Sequence, residues 1–167
     1  MRGLRLFVLA VLAVGALLAL AACGSSGKAT KTDSTSRLTA AEYRTKMAQI
    51  AQEADVVQGS VEQGLKATSV ARLDAVLNKF ANSSQRLGVE VAALAPPQNA
   101  VAANTELARG ETDTATATRA ALRKLSAMKS VKSALVYLQG SQANAKGGSE
   151  LDDALTKLKK LGYTKGS

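Results

Sequence analysis

The sequence lacks histidine and tryptophan, and it has one cysteine, two prolines and few aromatic residues among 167 positions. Histidine and cysteine are the usual ligands of zinc, copper and haem, so we expect no metal site and no cofactor. Beyond the first 22 residues the only aromatic side chains are Tyr43, Phe80, Tyr137 and Tyr163. Nucleic-acid bases need aromatic stacking partners, and we therefore predict no nucleic-acid partner.

Carboxylates are the remaining candidates for acid/base chemistry. They occur as three close pairs: Glu53 and Asp55, Glu111 and Asp113, and Asp152 and Asp153. Residues one or two positions apart on a helix point in different directions, so none of these pairs forms a general acid/base pair by itself. We interpret them as solvated charges and predict that the protein is not an enzyme. An envelope enzyme that uses carboxylates is a remote alternative.

The first 22 residues have the composition of an export signal. Arg2 and Arg5 precede an apolar run of 17 residues from Leu6 to Ala22, which ends in small side chains. This run is at the lower limit of a membrane-spanning helix, and the polar segment 24–27 follows it without a basic stop. An uncleaved membrane helix and an ordinary secreted protein are the alternatives.

The only cysteine lies where such a signal would be cleaved, in Leu20, Ala21, Ala22 and Cys23. This tetrapeptide resembles the lipobox of bacterial lipoproteins. The resemblance implies that residues 1–22 are removed and that the Cys23 sulfur carries a diacylglycerol. It also implies a protein anchored by lipid in the cell membrane and facing the extracytoplasmic side.

Positive charge is spread along the rest of the chain. Removal of Arg2 and Arg5 lowers the net charge from +9 to +7, which favours anionic lipid head groups or an anionic cell-wall polymer as partners. Residues 23–37 are rich in Gly, Ser, Thr and Lys, and we predict that they form a disordered tether after the lipidated cysteine. Arg119, Arg123, Lys129 and Lys132 form a candidate anion-contact surface, for which a simple solvated face is the alternative.

Residues 38–163 have the pattern of a helical bundle, followed by a disordered tail at 164–167. Thr39 and Glu42 form a capping box with Leu38 packing on Tyr43, and apolar spacings of three and four predict helices over 40–67 and 70–95. Pro96 and Pro97 end the second helix.

Three further helices are expected. Pro97 suits the first turn of a long third helix, and a short fourth helix begins at Ser130. Gly147 and Gly148 are predicted to break that helix before Ser149 starts the last one, which ends at Gly162. The predicted fold is all-α, an elongated antiparallel bundle of three long and two shorter helices that is similar to a four-helix bundle.

The segments Leu94–Pro97 and Leu158–Tyr163 also make the chain similar to small helical lipoproteins of bacteria. We therefore expect a membrane-anchored envelope protein whose bundle is a non-catalytic interaction or structural module with an envelope protein or wall partner. The alternative is a carrier for a lipid or other apolar ligand, because the small residues 112–121 could leave a groove between helices.

Overall fold

The structure is a computed structural model that describes residues 37–64, 66–141 and 145–164. Within these ranges it contains five α-helices and no strand, which confirms the predicted all-α class with three long and two shorter helices. The helices are α1 (Ala40–Gly64), α2 (Val70–Ala92), α3 (Val101–Leu125), α4 (Val131–Gly140) and α5 (Ala145–Lys160). The signal, Cys23 and most of the tether lie outside the described residues.

The helix starts follow the capping residues in the sequence. Glu42 Oε2 accepts a hydrogen bond from the Thr39 backbone N–H at 2.8 Å, and the Glu42 N–H donates to Thr39 Oγ1 at 3.3 Å, so the predicted capping box is confirmed. Ser69 and Ser130 cap α2 and α4 in the same manner, each accepting from an N–H three residues later. Local side-chain chemistry therefore determines where these three helices begin.

The start of α5 is the main correction to the sequence prediction. Gly147 and Gly148 do not end a helix but lie in the first turn of α5, which begins at Ala145. Gly147 is buried against α3, where an added Cβ would lie 2.6 Å from Thr114 Oγ1 and 2.9 Å from the Thr114 backbone nitrogen. The prediction failed because this glycine permits close helix packing, which outweighs its low helix propensity.

The end of α5 was predicted correctly. Gly162 has a φ of 75°, the left-handed conformation that glycine adopts without a steric penalty. The Gly162 N–H donates to the Lys159 carbonyl at 2.9 Å, and the Tyr163 N–H donates to the Leu158 carbonyl at 2.9 Å. Tyr163 thus folds back onto the helix and is buried.

The long helix α3 lies between α2 and α5 and runs antiparallel to both. Antiparallel packing of α2 is shown by the Asn104 side chain, which donates to the Val91 carbonyl at 2.9 Å, and by Arg119, which reaches Asn82 nearer the start of α2. Lys157 near the end of α5 pairs with Glu106 near the start of α3. The first helix packs mainly on α2. Helices α1, α2, α3 and α5 therefore form an antiparallel bundle in which α5 covers only part of α3.

The hydrophobic core consists of two clusters at opposite ends of the bundle. One lies at the end that contains Pro96, where Leu38 N–H donates to the Ala95 carbonyl at 2.7 Å and the Tyr43 and Tyr163 rings meet edge to face with centroids 5.0 Å apart. It comprises Tyr43, Met47, Val91, Ala100, Ala103, Leu107, Ala108, Ala154, Leu158 and Tyr163. The other comprises Leu73, Leu77, Ala121, Leu122, Leu125, Ala134 and Leu138.

The bundle has two ends that differ in composition. The proline end comprises residues 37–46, 90–104 and 157–164. The far end comprises residues 61–64, 66–74 and 121–138, where α4 packs on the start of α2 and the end of α3. Helix α3 has 25 residues and is about 37 Å long, and it runs from one end to the other.

Candidate anion-contact surface at the far end

Two turns and one short helix meet at the far end. Ala67 in the turn before α2 and Met128 in the turn before α4 both pack on the same apolar cluster. The turns 66–69 and 126–130 are therefore neighbours in space, although about 60 residues separate them in sequence. Charged residues in both turns consequently share one end of the molecule.

The far end carries six basic residues against two acidic ones, Glu62 and Asp74. The basic residues are Lys66, Arg72, Arg123, Lys124, Lys129 and Lys132, and all six are exposed. No ion pair among the described residues includes any of them. Their charges are therefore directed to solvent, which gives this end a net positive potential.

The structure divides the predicted anion-contact residues into two groups. Arg123, Lys129 and Lys132 lie at the far end, as the other basic residues there do. Arg119 lies closer to the middle of α3 and is partly buried, because its guanidinium donates to Gln85 Oε1 at 3.2 Å and to Asn82 Oδ1 at 3.3 Å. These hydrogen bonds join α3 to α2, so Arg119 does not belong to the basic surface at the far end.

Three residues of this surface were missed by sequence reasoning. Lys66 and Arg72 come from the α1–α2 connection, and no local pattern links them to α3 or α4. Only the packing of α2 against the end of α3 brings them there. Lys124 stands next to Arg123 in the last turn of α3, and the sequence alone could have included it.

The chain matches no protein-family model, no curated protein and no solved structure. Within the described ranges no helix is both long enough and apolar enough to cross a bilayer. In the same ranges no three His, Cys, Asp or Glu side chains lie close enough together to hold a metal ion.

A second unusual feature is a glutamate on the core face of α3. Glu111 lies four residues from both Leu107 and Ala115, which are buried, so the three share one face of the helix. Burial raises the pKa of Glu111 to about 7, an effect that a hydrogen bond with Ser84 partly offsets. The prediction that Glu111 is a solvated charge is therefore wrong.

The spacing of Glu111 contained a signal that the sequence interpretation did not use. Leu107, Glu111 and Ala115 follow the same four-residue interval as apolar residues elsewhere in the bundle. Charged residues are mostly exposed, and that general expectation favoured the wrong interpretation.

A shallow groove lies between α2 and α3 at Gly88. It has a volume of about 300 Å³ and is open to solvent. It is lined by Gly88, Val89, Ala92, Ala108, Arg109, Thr112 and Asp113. Only Thr112 and Asp113 belong to the stretch 112–121 that was predicted to leave room for an apolar ligand.

Most of that small-residue stretch is used for helix packing. Thr114, Ala115, Thr118 and Ala121 are buried, and Thr114 contacts Gly147 of α5. The groove at Gly88 is also bordered by a charged pair, with Arg109 Nε 3.8 Å from Asp113 Oδ2. Neither feature resembles the enclosed apolar cavity that a lipid carrier requires.

Proposed function

We propose that this chain is a bacterial cell-envelope lipoprotein, anchored in the cell membrane through a diacylglycerol on Cys23, whose helical bundle is a non-catalytic interaction module. The observation that carries the proposal is the position of the only cysteine, directly after Leu20, Ala21 and Ala22 at the end of a signal-like segment. A thiolate is the nucleophile that a thioether-linked lipid needs.

The strength of a two-chain anchor supports permanent attachment. One acyl chain gives only marginal membrane binding, with a partition constant of about 10⁴ M⁻¹, whereas two chains hold a protein stably. An anchored protein of this kind would act where it is placed, and an interaction module suits that role better than a diffusing carrier does.

The proline end fits a position near the bilayer. The described chain begins there at Arg37, whose guanidinium donates to the Pro96 carbonyl at 3.1 Å. The fourteen residues from Cys23 to Ser36 span at most roughly 50 Å and on average about 20 Å, which keeps this end close to lipid head groups. Its basic residues include Arg44, Lys159 and Lys160, which are exposed.

Replacement of the cysteine tests the anchor. Cys23→Ala removes the sulfur that would carry the lipid, so we expect the mature protein to lose the mass of a diacylglycerol and to leave the membrane fraction. Intact-protein mass spectrometry and fractionation of the native host measure both effects, with Ser25→Ala as the matched control that keeps the anchor. Unchanged mass together with unchanged fractionation would contradict the proposal.

A further inference from the structure

Charge is distributed along the bundle in three zones. The proline end and the far end each carry six basic residues against two acidic ones. The described residues between them carry five basic and eight acidic residues. The middle zone is therefore negative and both ends are positive, so the molecule presents two separate basic surfaces with about 24 Å of α3 between them.

Ion pairing distinguishes the middle zone from both ends. In the described part of the chain, Arg86, Arg109 and Lys146 of the middle zone all form ion pairs, with Glu53, Asp113 and Glu150 among their partners. At the proline end Lys157 pairs with Glu106 at 2.6 Å. The far end has no such pair with any described residue, so its cations remain available to a partner from outside.

Helix stability does not explain the basic residues at the far end. Arg72 is the third residue of α2 and Lys132 is the second residue of α4, and a cation in the first turn of a helix is opposed by the helix dipole. Neither first turn contains an acidic residue. Two of the six cations therefore occupy positions that helix stability disfavours, which points to a role in binding.

The direction of the bundle selects the partner. If the proline end faces the membrane, as the proposed function requires, the far end lies on the side directed away from it. We propose that the far end binds an anionic polymer of the cell wall, one that carries repeated phosphate or carboxylate groups, and that the bundle thereby links the membrane to the wall. This inference rests on the proposed function for its orientation, but the binding itself does not require the lipid.

The experiment uses the full-length protein purified from membranes and reconstituted in neutral phosphatidylcholine vesicles. The probe is end-labelled long-chain polyphosphate, with polyglutamate as the carboxylate counterpart, and binding is followed by fluorescence anisotropy. We expect saturable binding of at least one of the two polymers, and its affinity should fall steeply as salt rises, because the contacts are between exposed charges.

Two matched charge reversals separate the ends. Lys129→Glu with Lys132→Glu alters the far end, and Lys159→Glu with Lys160→Glu alters the proline end and lowers the net charge by the same amount. The far-end variant should lose affinity for the polymer by at least about tenfold, since each basic contact to an anionic surface is worth about a factor of five. The proline-end variant should stay within about twofold, because residual long-range effects are screened.

Circular dichroism verifies that both variants keep the helical content of the parent. Equal losses in the two variants would show that net charge alone drives binding and would overturn the proposal, as would the absence of binding to both polymers. Binding to vesicles rich in phosphatidylglycerol through the far end, without polymer binding, would also overturn it in favour of a lipid contact. Repeating the titration with Cys23→Ala in solution separates this result from a failure of the anchor.

Discussion

At the scale of single residues, Glu111 is unusual because it is an ionisable side chain on the core-facing side of its helix. It shares the core face of α3 with Leu107 and Ala115, and its pKa is raised to about 7 by burial. A carboxyl group with this pKa is partly ionised near neutral pH, where ionisation in a poorly solvated site costs free energy. The bundle therefore contains a source of pH dependence at a partly buried position on the core face of α3.

The sign of this dependence can be predicted. The Glu111 pKa is higher in the folded chain than its ordinary value of 4.5, so between these two pKa values the folded chain binds more protons than the unfolded chain. The contribution of Glu111 to the free energy of unfolding is largest below pH 4.5. It falls by about 3 kcal/mol in total as the pH rises towards 7. Glu111→Gln should therefore raise the free energy of unfolding at pH 8 and leave it almost unchanged at pH 4.

Urea unfolding monitored by circular dichroism at several pH values measures this effect. Glu62→Gln is the control, because Glu62 is an exposed carboxylate and should change little at any pH. An equal stabilisation by both substitutions, or a stabilisation by Glu111→Gln that does not grow with pH, would contradict the assignment.

At the scale of helices, local signals predicted boundaries well and packing decided the rest. Thr39 with Glu42, and Gly162 with Tyr163, act through neighbours in sequence, so their effects could be predicted from the sequence. The two glycines at 147 and 148 were misinterpreted because their effect depends on α3, which passes close to Gly147. Sequence carries no direct information about such a distant approach.

Substitution of Gly147 tests that close approach. Gly147→Ala places a methyl group 2.6 Å from Thr114 Oγ1, so α5 must shift away from α3, and we expect a loss of about 1–3 kcal/mol in the free energy of unfolding. Gly59→Ala is the matched control in α1, where an added Cβ meets nothing within 4 Å and should stabilise the protein by about 0.5–1 kcal/mol. Stabilisation by both substitutions in urea denaturation would show that the helices are not in tight contact.

At the scale of the whole molecule, two short helices, α4 and α5, accompany the three long ones. The first of these, α4, has ten residues and buries only Ala134 and Leu138, whereas α3 buries eleven residues along its length. Short helices are marginal without tertiary contacts, so stability should vary strongly across the molecule. Helix α4 lies at the far end and contributes Lys132 to the basic surface there.

Hydrogen exchange followed by mass spectrometry checks this uneven stability. We expect peptides from α4 to exchange several orders of magnitude faster than peptides from the middle of α3, because opening α4 breaks few buried contacts. Peptides from α5 should lie between them. Equal protection of α3 and α4 would instead indicate that the bundle opens only as a unit.

The far end also shows what the sequence could not provide. Arg123, Lys129 and Lys132 were grouped correctly because they lie close together along the chain. Lys66 and Arg72 belong to the same surface through the packing of α2 on α3, and Arg119 leaves it through hydrogen bonds with α2. The residues that belong to the surface are thus determined by helix contacts, which a single sequence does not reveal.

The proline end holds both the first and the last residues that the structure describes. Arg37 contacts Pro96, and Tyr163 donates to Asn99 Oδ1 at 2.9 Å in the adjoining turn. A fluorescent protein fused behind residue 164 would consequently emerge on the same side of the bundle as Arg37 and would crowd whatever surface the proline end approaches. A small epitope inserted in the turn 126–130 would instead stand at the far end, on the side of the bundle opposite Arg37.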